Sequence, residues 1–172
     1  MVTLGLDLSS KSSGWSIFKD GNLYSYGCIT ASSQNLYKRI DKMIAELDKI
    51  LATNKIDFVY IEDVIPSDVH ENQAVFKALT YLQGFVLHLL DKYNLQHKFF
   101  LANEWRKACG IHTGRGIKRE SLKPKDIKFV ETQYDIHVND DVADAICINF
   151  AGNGGTPIAP QVTKTADGFE FG

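Results

Sequence analysis

Two hydrophobic periods alternate along this chain, and the order in which they do so leaves few folds open. Val2 to Asp7 is a short apolar run closed by an acid, and Trp15 to Lys19 and Leu23 to Thr30 are further strand-like runs separated by Asp20-Gly21-Asn22. Asp-Gly between two such runs is a strong hairpin signal, because a tight turn needs positive φ at its centre. The period then changes. Leu36, Ile40, Met43, Ile44, Leu47, Ile50 and Leu51 recur at helical spacing, with Ser32-Ser33 placed to supply an N-cap. Phe58 to Glu62, bounded by polar residues and by Pro66, is a compact run of the kind buried in a parallel sheet. A second long helix is predicted from about Asn72 to Tyr93, and a fifth strand from Gln96 to Ala102. Asn103-Glu104 then opens a short helix that stops at Gly110. After a basic loop from Thr113 to Lys123, Pro124 suits the first turn of a helix reaching about Tyr134. The last helix begins near Asp141 and ends at Gly152-Asn153-Gly154-Gly155.

A hairpin followed by strand-helix-strand crossovers predicts an α/β fold, a central mixed five-stranded sheet flanked by helices. The 172 residues suit one domain, assigned to 1–155. Thr156 to Gly172, without period and with two prolines, is expected to be a loosely held C-terminal tail. Hydrophobic residues at 44% and charged residues at 23% exclude a disordered or collagen-like chain. No apolar run approaches the ~20 residues that cross a bilayer, and the N-terminus lacks a basic start and cleavage site, so the expectation is a cytoplasmic protein with no membrane partner. Cys28, Cys109 and Cys147 form neither a CxxC pair nor a disulfide framework and are expected to be reduced and mostly packed.

Acids stand where such sheets do their work, at strand ends. Asp7 ends the first strand and Glu62 the fourth, while Asp141 and Asp144, at i and i+3, share one face at the start of the last helix. Oxygen donors from three distant segments suit hard divalent cations such as Mg²⁺. Two such ions about 4 Å apart can activate water and stabilise the leaving oxygen in phosphoryl transfer. Each acid also has a structural reading. Helix dipoles favour Asp141 and Asp144 in a first turn, Glu62 can mark where a strand emerges, and Asp63 and Asp140 are neighbours that spacing alone does not exclude.

The net charge of −2 hides a strong segregation. Arg106, Lys107, Arg115, Lys118, Arg119, Lys123, Lys125 and Lys128 fall in one segment opposed only by Glu120 and Asp126, giving it +6. Glycines at 110, 114 and 116 would let a phosphate backbone approach this segment; the alternative is a solvated basic face. His70, His88, His97, His112 and His137 show no metal-ligand spacing, although His137 lies near Asp141 in sequence. Trp15, Trp105, Phe76 and Phe85 read as core.

Taken in order, Leu4-Gly5-Leu6-Asp7, Tyr60-Ile61-Glu62-Asp63 and Asp141-Val142-Ala143-Asp144-Ala145-Ile146 resemble the RuvC family of Holliday junction resolvases, in the RNase H-like nuclease superfamily. Gln83-Gly84 and the run Thr113-Gly114-x-Gly116 with Lys118 to Lys123 resemble further family segments, and the likeness covers about residues 1 to 152. The resemblance implies an RNase H-like fold and a homodimer that makes paired nicks across a four-way DNA junction. It implies catalytic, metal-binding acids at Asp7, Glu62, Asp141 and Asp144, holding two Mg²⁺ ions per site with Mn²⁺ as a substitute and no small-molecule cofactor. DNA contacts would come from Lys107, Arg115, Lys118, Arg119, Lys123 and Lys125.

Two departures stand out. Leu8-Ser9-Ser10 replaces the Pro-Gly usual after the first acid, and Asp63 to Val75 holds no aromatic to wedge into a junction. A broader range of branched substrates is expected, as in compact bacteriophage members. Two other functions fit parts of the sequence. Gly5-Leu6-Asp7-Leu8-Ser9-Ser10 also resembles the first phosphate loop of sugar kinases and other actin-like ATPases, though one lobe is too short to close around ATP. A non-catalytic branched-DNA-binding module would keep the fold without the chemistry. The second long helix, apolar on more than one face, is the expected dimer surface.

Overall fold

The computed structural model describes residues 1–64, 73–114 and 117–157. Strands β1 (Val2–Asp7), β2 (Ser12–Lys19) and β3 (Asn22–Thr30) form an antiparallel meander; β4 (Phe58–Glu62) and β5 (Gln96–Phe100) then add in parallel on the other side of β1. The order β3-β2-β1-β4-β5 makes the predicted mixed five-stranded sheet. The hairpin turns at Asp20 and Gly21, both with positive φ.

Alternation along the strands divides the interior into two cores. Leu4, Leu6, Ile17, Val59 and Ile61 face helices α1 (Leu36–Thr53) and α2 (Gln73–Lys92), meeting Ile40, Met43, Leu47, Leu82, Val86 and Leu90. Phe18 and Tyr60 point the other way, toward α3 (Ala102–Ala108), α4 (Arg119–Tyr134) and α5 (Asp140–Gly152), and pack with Trp105, Val130, Val142 and Ile146. Among the described residues no helix is long and apolar enough to cross a membrane.

Three local expectations change. Asn35, not the Ser32-Ser33 pair, caps α1, its Oδ1 accepting from the backbone N–H groups of Tyr37 and Lys38 at 2.9 and 3.2 Å. The fifth strand stops at Phe100, and Glu104 folds back to accept the Leu101 N–H at 2.8 Å, which starts α3 one residue early. The basic loop is shorter than its composition suggests: α4 begins at Arg119, so Pro124 lies inside the helix rather than in its first turn. The helix accepts a proline there at the cost of one backbone hydrogen bond.

Helix α5 is the centre of the second layer, with every residue from Val142 to Phe150 buried. Asn139 caps it, Oδ1 accepting the Val142 N–H at 2.9 Å, and Asp140 and Asp141 favour the positive end of its dipole. It lies unusually close to β1 and β2 because glycines face it. A Cβ on Gly5 would come within 2.5 Å of the Ala145 carbonyl oxygen, and one on Gly14 within 1.8 Å of the Asp141 carbonyl oxygen. A buried polar seam locks this contact. Thr3 Oγ1 donates to Asn149 Oδ1 at 2.7 Å, Asn149 Nδ2 donates to the Ser16 carbonyl at 2.9 Å, and Ser16 Oγ donates to the Ala145 carbonyl at 2.8 Å.

Gly14→Ala should therefore act as overpacking and reduce unfolding free energy by about 1–3 kcal/mol. Gly84→Ala, on α2 where an added Cβ meets nothing within 4 Å, should be neutral or stabilising by up to about 1 kcal/mol. Urea denaturation of the two variants beside the wild type checks the contrast.

Candidate active site

Two strands end together, and one helix begins above them. β1 and β4 run parallel with Leu6 opposite Ile61, and Asp7 and Glu62 are the next residues on each strand. Alternation puts Asp7 on the side of Thr3 and Gly5, and Glu62 on the side of Tyr60, so both belong to the α5 face. Asp7 pairs across the antiparallel ladder with Gly14, the residue on which the Asp141 backbone rests. The bare glycine thus brings the first two turns of α5, with Asp141 and Asp144, over the end of β1.

Each acid has a distinct environment. Glu62 Oε2 accepts a hydrogen bond from the indole Nε1–H of Trp105 at 2.9 Å, while its carbonyl accepts from Gln83 Nε2 at 3.3 Å. Asp141 Oδ2 accepts from Ser12 Oγ, which also lies 3.1 Å from Cys28 Sγ. Asp144 is only 3% exposed; its Oδ2 lies 3.7 Å from an Arg106 nitrogen, and its buried Oδ1 has no hydrogen-bond partner. Burial pushes the Asp144 carboxyl well above the ordinary range, and the charges of Asp7, Asp126 and Glu62 add to the shift while Arg106 opposes it.

The neighbours are accounted for separately. Asp63 Oδ1 accepts the N–H of Val64 at 2.8 Å, and Asp140 pairs with Lys123. That hydrogen bond holds the Asp140 carboxyl low and the Lys123 ammonium high, with Asp144 and Asp141 adding to the pull on Lys123. His137 is turned to Glu131 and does not join the acids.

Arg106 corrects the sequence reading. Instead of adding to a basic surface it is buried, and its Nε and Nη2 grip the fully buried Asp126 at 3.0 and 2.8 Å. No sequence spacing links positions 106, 126 and 144, and nothing local distinguishes Arg106 from Lys107, so sequence reasoning misses this pair. Of the proposed DNA contacts, Lys107, Lys118 and Lys125 are exposed and Lys123 is half-buried. Arg115 lies outside the described residues, as does the side chain of Arg119.

The donor set suits a hard cation: carboxylate oxygens from three segments, one of them buried and unsatisfied. Among the described residues, however, no group of three His, Cys, Asp or Glu side chains is gathered tightly enough to hold an ion. Glu62 accepts from Trp105 and Asp141 from Ser12. The acids share an electrostatic field without closing a coordination shell. The turn after β1, by contrast, satisfies itself: the Ser9 N–H donates to Ser13 Oγ at 2.9 Å, and Ser13 Oγ donates back to the Ser9 carbonyl at 2.6 Å. Those groups are engaged with each other, as a phosphate loop's would not be.

The sheet order and flanking helices define an RNase H-like fold. The chain superposes on Thermus thermophilus RuvC in complex with a Holliday junction substrate with a TM-score of 0.70, at 13% identity, covering 90% of this chain and 93% of that one. It superposes on the yeast mitochondrial Holliday junction resolvase with a TM-score of 0.54, at 12% identity, covering 88% and 77%. The family model described as crossover junction endodeoxyribonuclease RuvC matches residues 3–151, and the chain belongs to that family. Crossover junction endodeoxyribonucleases RuvC of Rickettsia conorii and Rickettsia felis are 26% and 27% identical over 155 residues, 87% of this chain and 95% and 96% of theirs. The family is one of metal-dependent nucleases, which sets aside the kinase-like reading of Gly5 to Ser10.

The burial of Asp144 has a measurable cost in the metal-free protein. Its folded-state pKa lies above the unfolded value of 3.8, so the folded chain holds the extra proton and stability falls as pH rises above that value. Asp144→Asn removes this cost. Its Tm should exceed that of the wild type at about pH 7 and converge with it at about pH 3, below the ordinary aspartate pKa of about 3.9. Differential scanning calorimetry in a chelator reads the difference.

Proposed function

We propose that this chain is a structure-selective endodeoxyribonuclease that resolves Holliday junctions and other branched DNA by paired, metal-dependent nicks. The observation that carries the reading is the meeting of Asp7 and Glu62, at adjacent parallel strand ends, with the first turn of α5 and the unsatisfied Asp144 Oδ1. Asp7, Glu62, Asp141 and Asp144 would hold two Mg²⁺ ions, with Mn²⁺ as a substitute. Bound there, divalent cations supply Lewis-acid activation of water and stabilisation of the leaving oxygen.

The chain's own residues do the rest. Asp144, desolvated and facing the charges of Asp7 and Glu62, holds its proton more tightly than an ordinary carboxyl, so a cation would displace that proton and bind more tightly as pH rises. Ser12 and Trp105 orient Asp141 and Glu62. Lys123 stands beside the acids, balanced by Asp140. Lys107, Lys118 and Lys125, with Arg115 and Arg119, would bind phosphates and bring the strand across the cluster. Paired nicks need two sites, and a homodimer supplies them. Helix α2, with Val75, Tyr81 and Phe85 exposed, is the surface this reading assigns to it.

Asp7→Asn should abolish cleavage of a labelled four-way junction in Mg²⁺ while leaving its gel shift intact; cutting at the wild-type rate would remove Asp7 from the site. Alanine at Lys107, Lys118 and Lys125 together should weaken junction binding at every sequence. The slope of log affinity against log salt should become shallower by about 0.9 for each phosphate no longer neutralised, measured by fluorescence anisotropy across salt concentrations.

A further inference from the structure

We propose that Trp105 is a positioning residue for the acid cluster, its indole N–H presetting the Glu62 carboxylate to receive a divalent cation. The inference rests on the reading of Glu62 as a metal-binding acid and goes beyond it to a group that no pattern of acids reveals.

A buried indole N–H needs an acceptor. Trp105 is fully buried, and its Nε1 meets Glu62 Oε2 at 2.9 Å. The ring has little freedom to swing away, because the Arg106 guanidinium stacks on it at 4.1 Å and is itself clamped by Asp126. Adjacent residues of one short helix therefore reach two acids: Trp105 donates to Glu62, and Arg106 lies 3.7 Å from Asp144 Oδ2.

The kind of donor matters. The hydroxyl of Ser12 on Asp141 can rotate, whereas an indole N–H points only where its ring is packed. A single indole N–H engages one carboxylate oxygen, here Oε2. A carboxylate oriented in this way forfeits less conformational freedom when a cation binds. Outer partners of metal-binding side chains commonly carry a ten- to hundredfold effect on metal affinity.

The molecule contains its own control. Of its two tryptophans, Trp15 pairs with Leu6 and packs with the core on the α1 and α2 face, away from the acids. In full-length protein carrying ¹⁵N-labelled indoles, assigned with Trp15→Phe, Mg²⁺ should shift the Trp105 Nε1–H resonance saturably and leave that of Trp15 in place. Glu62→Gln should abolish the shift. Trp105→Phe keeps an aromatic ring but loses the donor. Its Mn²⁺ affinity by calorimetry should fall about tenfold or more, with metal-free junction binding unchanged, and the loss should vanish in a Glu62→Gln background.

If Trp105→Phe does not fold, the wild-type titration decides alone. Indole resonances unmoved by saturating Mg²⁺ in a protein that Asp7→Asn inactivates would overturn the role of Trp105 and leave the nuclease reading standing. Wild-type Mn²⁺ affinity in a folded Trp105→Phe would do the same. A chain that neither binds Mg²⁺ or Mn²⁺ nor cuts a junction would overturn both.

Discussion

Everything at the acidic end of this molecule depends on how closely one helix approaches two strands. Helices packed on sheets are held off by side chains, but where α5 crosses β1 and β2 the residues beneath it are Gly5 and Gly14, and helix carbonyls lie almost on the strand backbone. Such an approach would leave polar groups stranded were they not paired. Thr3, Ser16, Asn149 and Asn153 pair them, with Asn153 Nδ2 donating to Thr3 Oγ1 at 2.8 Å. The seam fixes the axial position of α5 as well as its distance. A slip of one residue would rotate Asp141 and Asp144 by about 100° away from the strand ends.

A helix so tightly seated leaves its acids little room to avoid each other. Asp144 is desolvated, faces the charges of Asp7 and Glu62, and gains only a distant guanidinium, since Arg106 is committed to Asp126. A buried Arg–Asp pair is weak evidence for stability, because the loss of hydration offsets most of the attraction. Its value here is positional: it supplies a fixed positive charge behind the acids without neutralising them. The arrangement is a local conflict that a protein retains where function needs it and compensates elsewhere, here in two well-filled cores on opposite faces of the sheet.

Much of this is legible in the sequence, and the boundary has physical reasons. Five strands, the hairpin at Asp20-Gly21 and the helices α1, α2 and α5 follow from periodicity, which reports which face of an element is buried. The acids are legible because strand ends and helix starts are one-dimensional features. Periodicity does not say which partner a buried face meets. The Thr3–Ser16–Asn149 seam, the grip of Arg106 on Asp126 and the bond from Trp105 to Glu62 join residues far apart in the chain, and each type has a more ordinary role: surface polar, surface charge, core aromatic. Pro124 misleads for a related reason. Its preference for first turns is strong, yet a helix packed against α5 runs through it.

The separation of the two cores also bears on how this protein can diverge. The side chains that gather the acids lie on one face of the sheet, while α2, with its exposed apolar residues, packs on the other, and Gln83 at the Glu62 carbonyl is a described thread from that helix to the end of β4. Substitutions along the exposed side of α2 can accumulate without disturbing the register of β1 against β4. Descendants of such a chain are free to vary that exposed surface while inheriting the same chemistry unaltered.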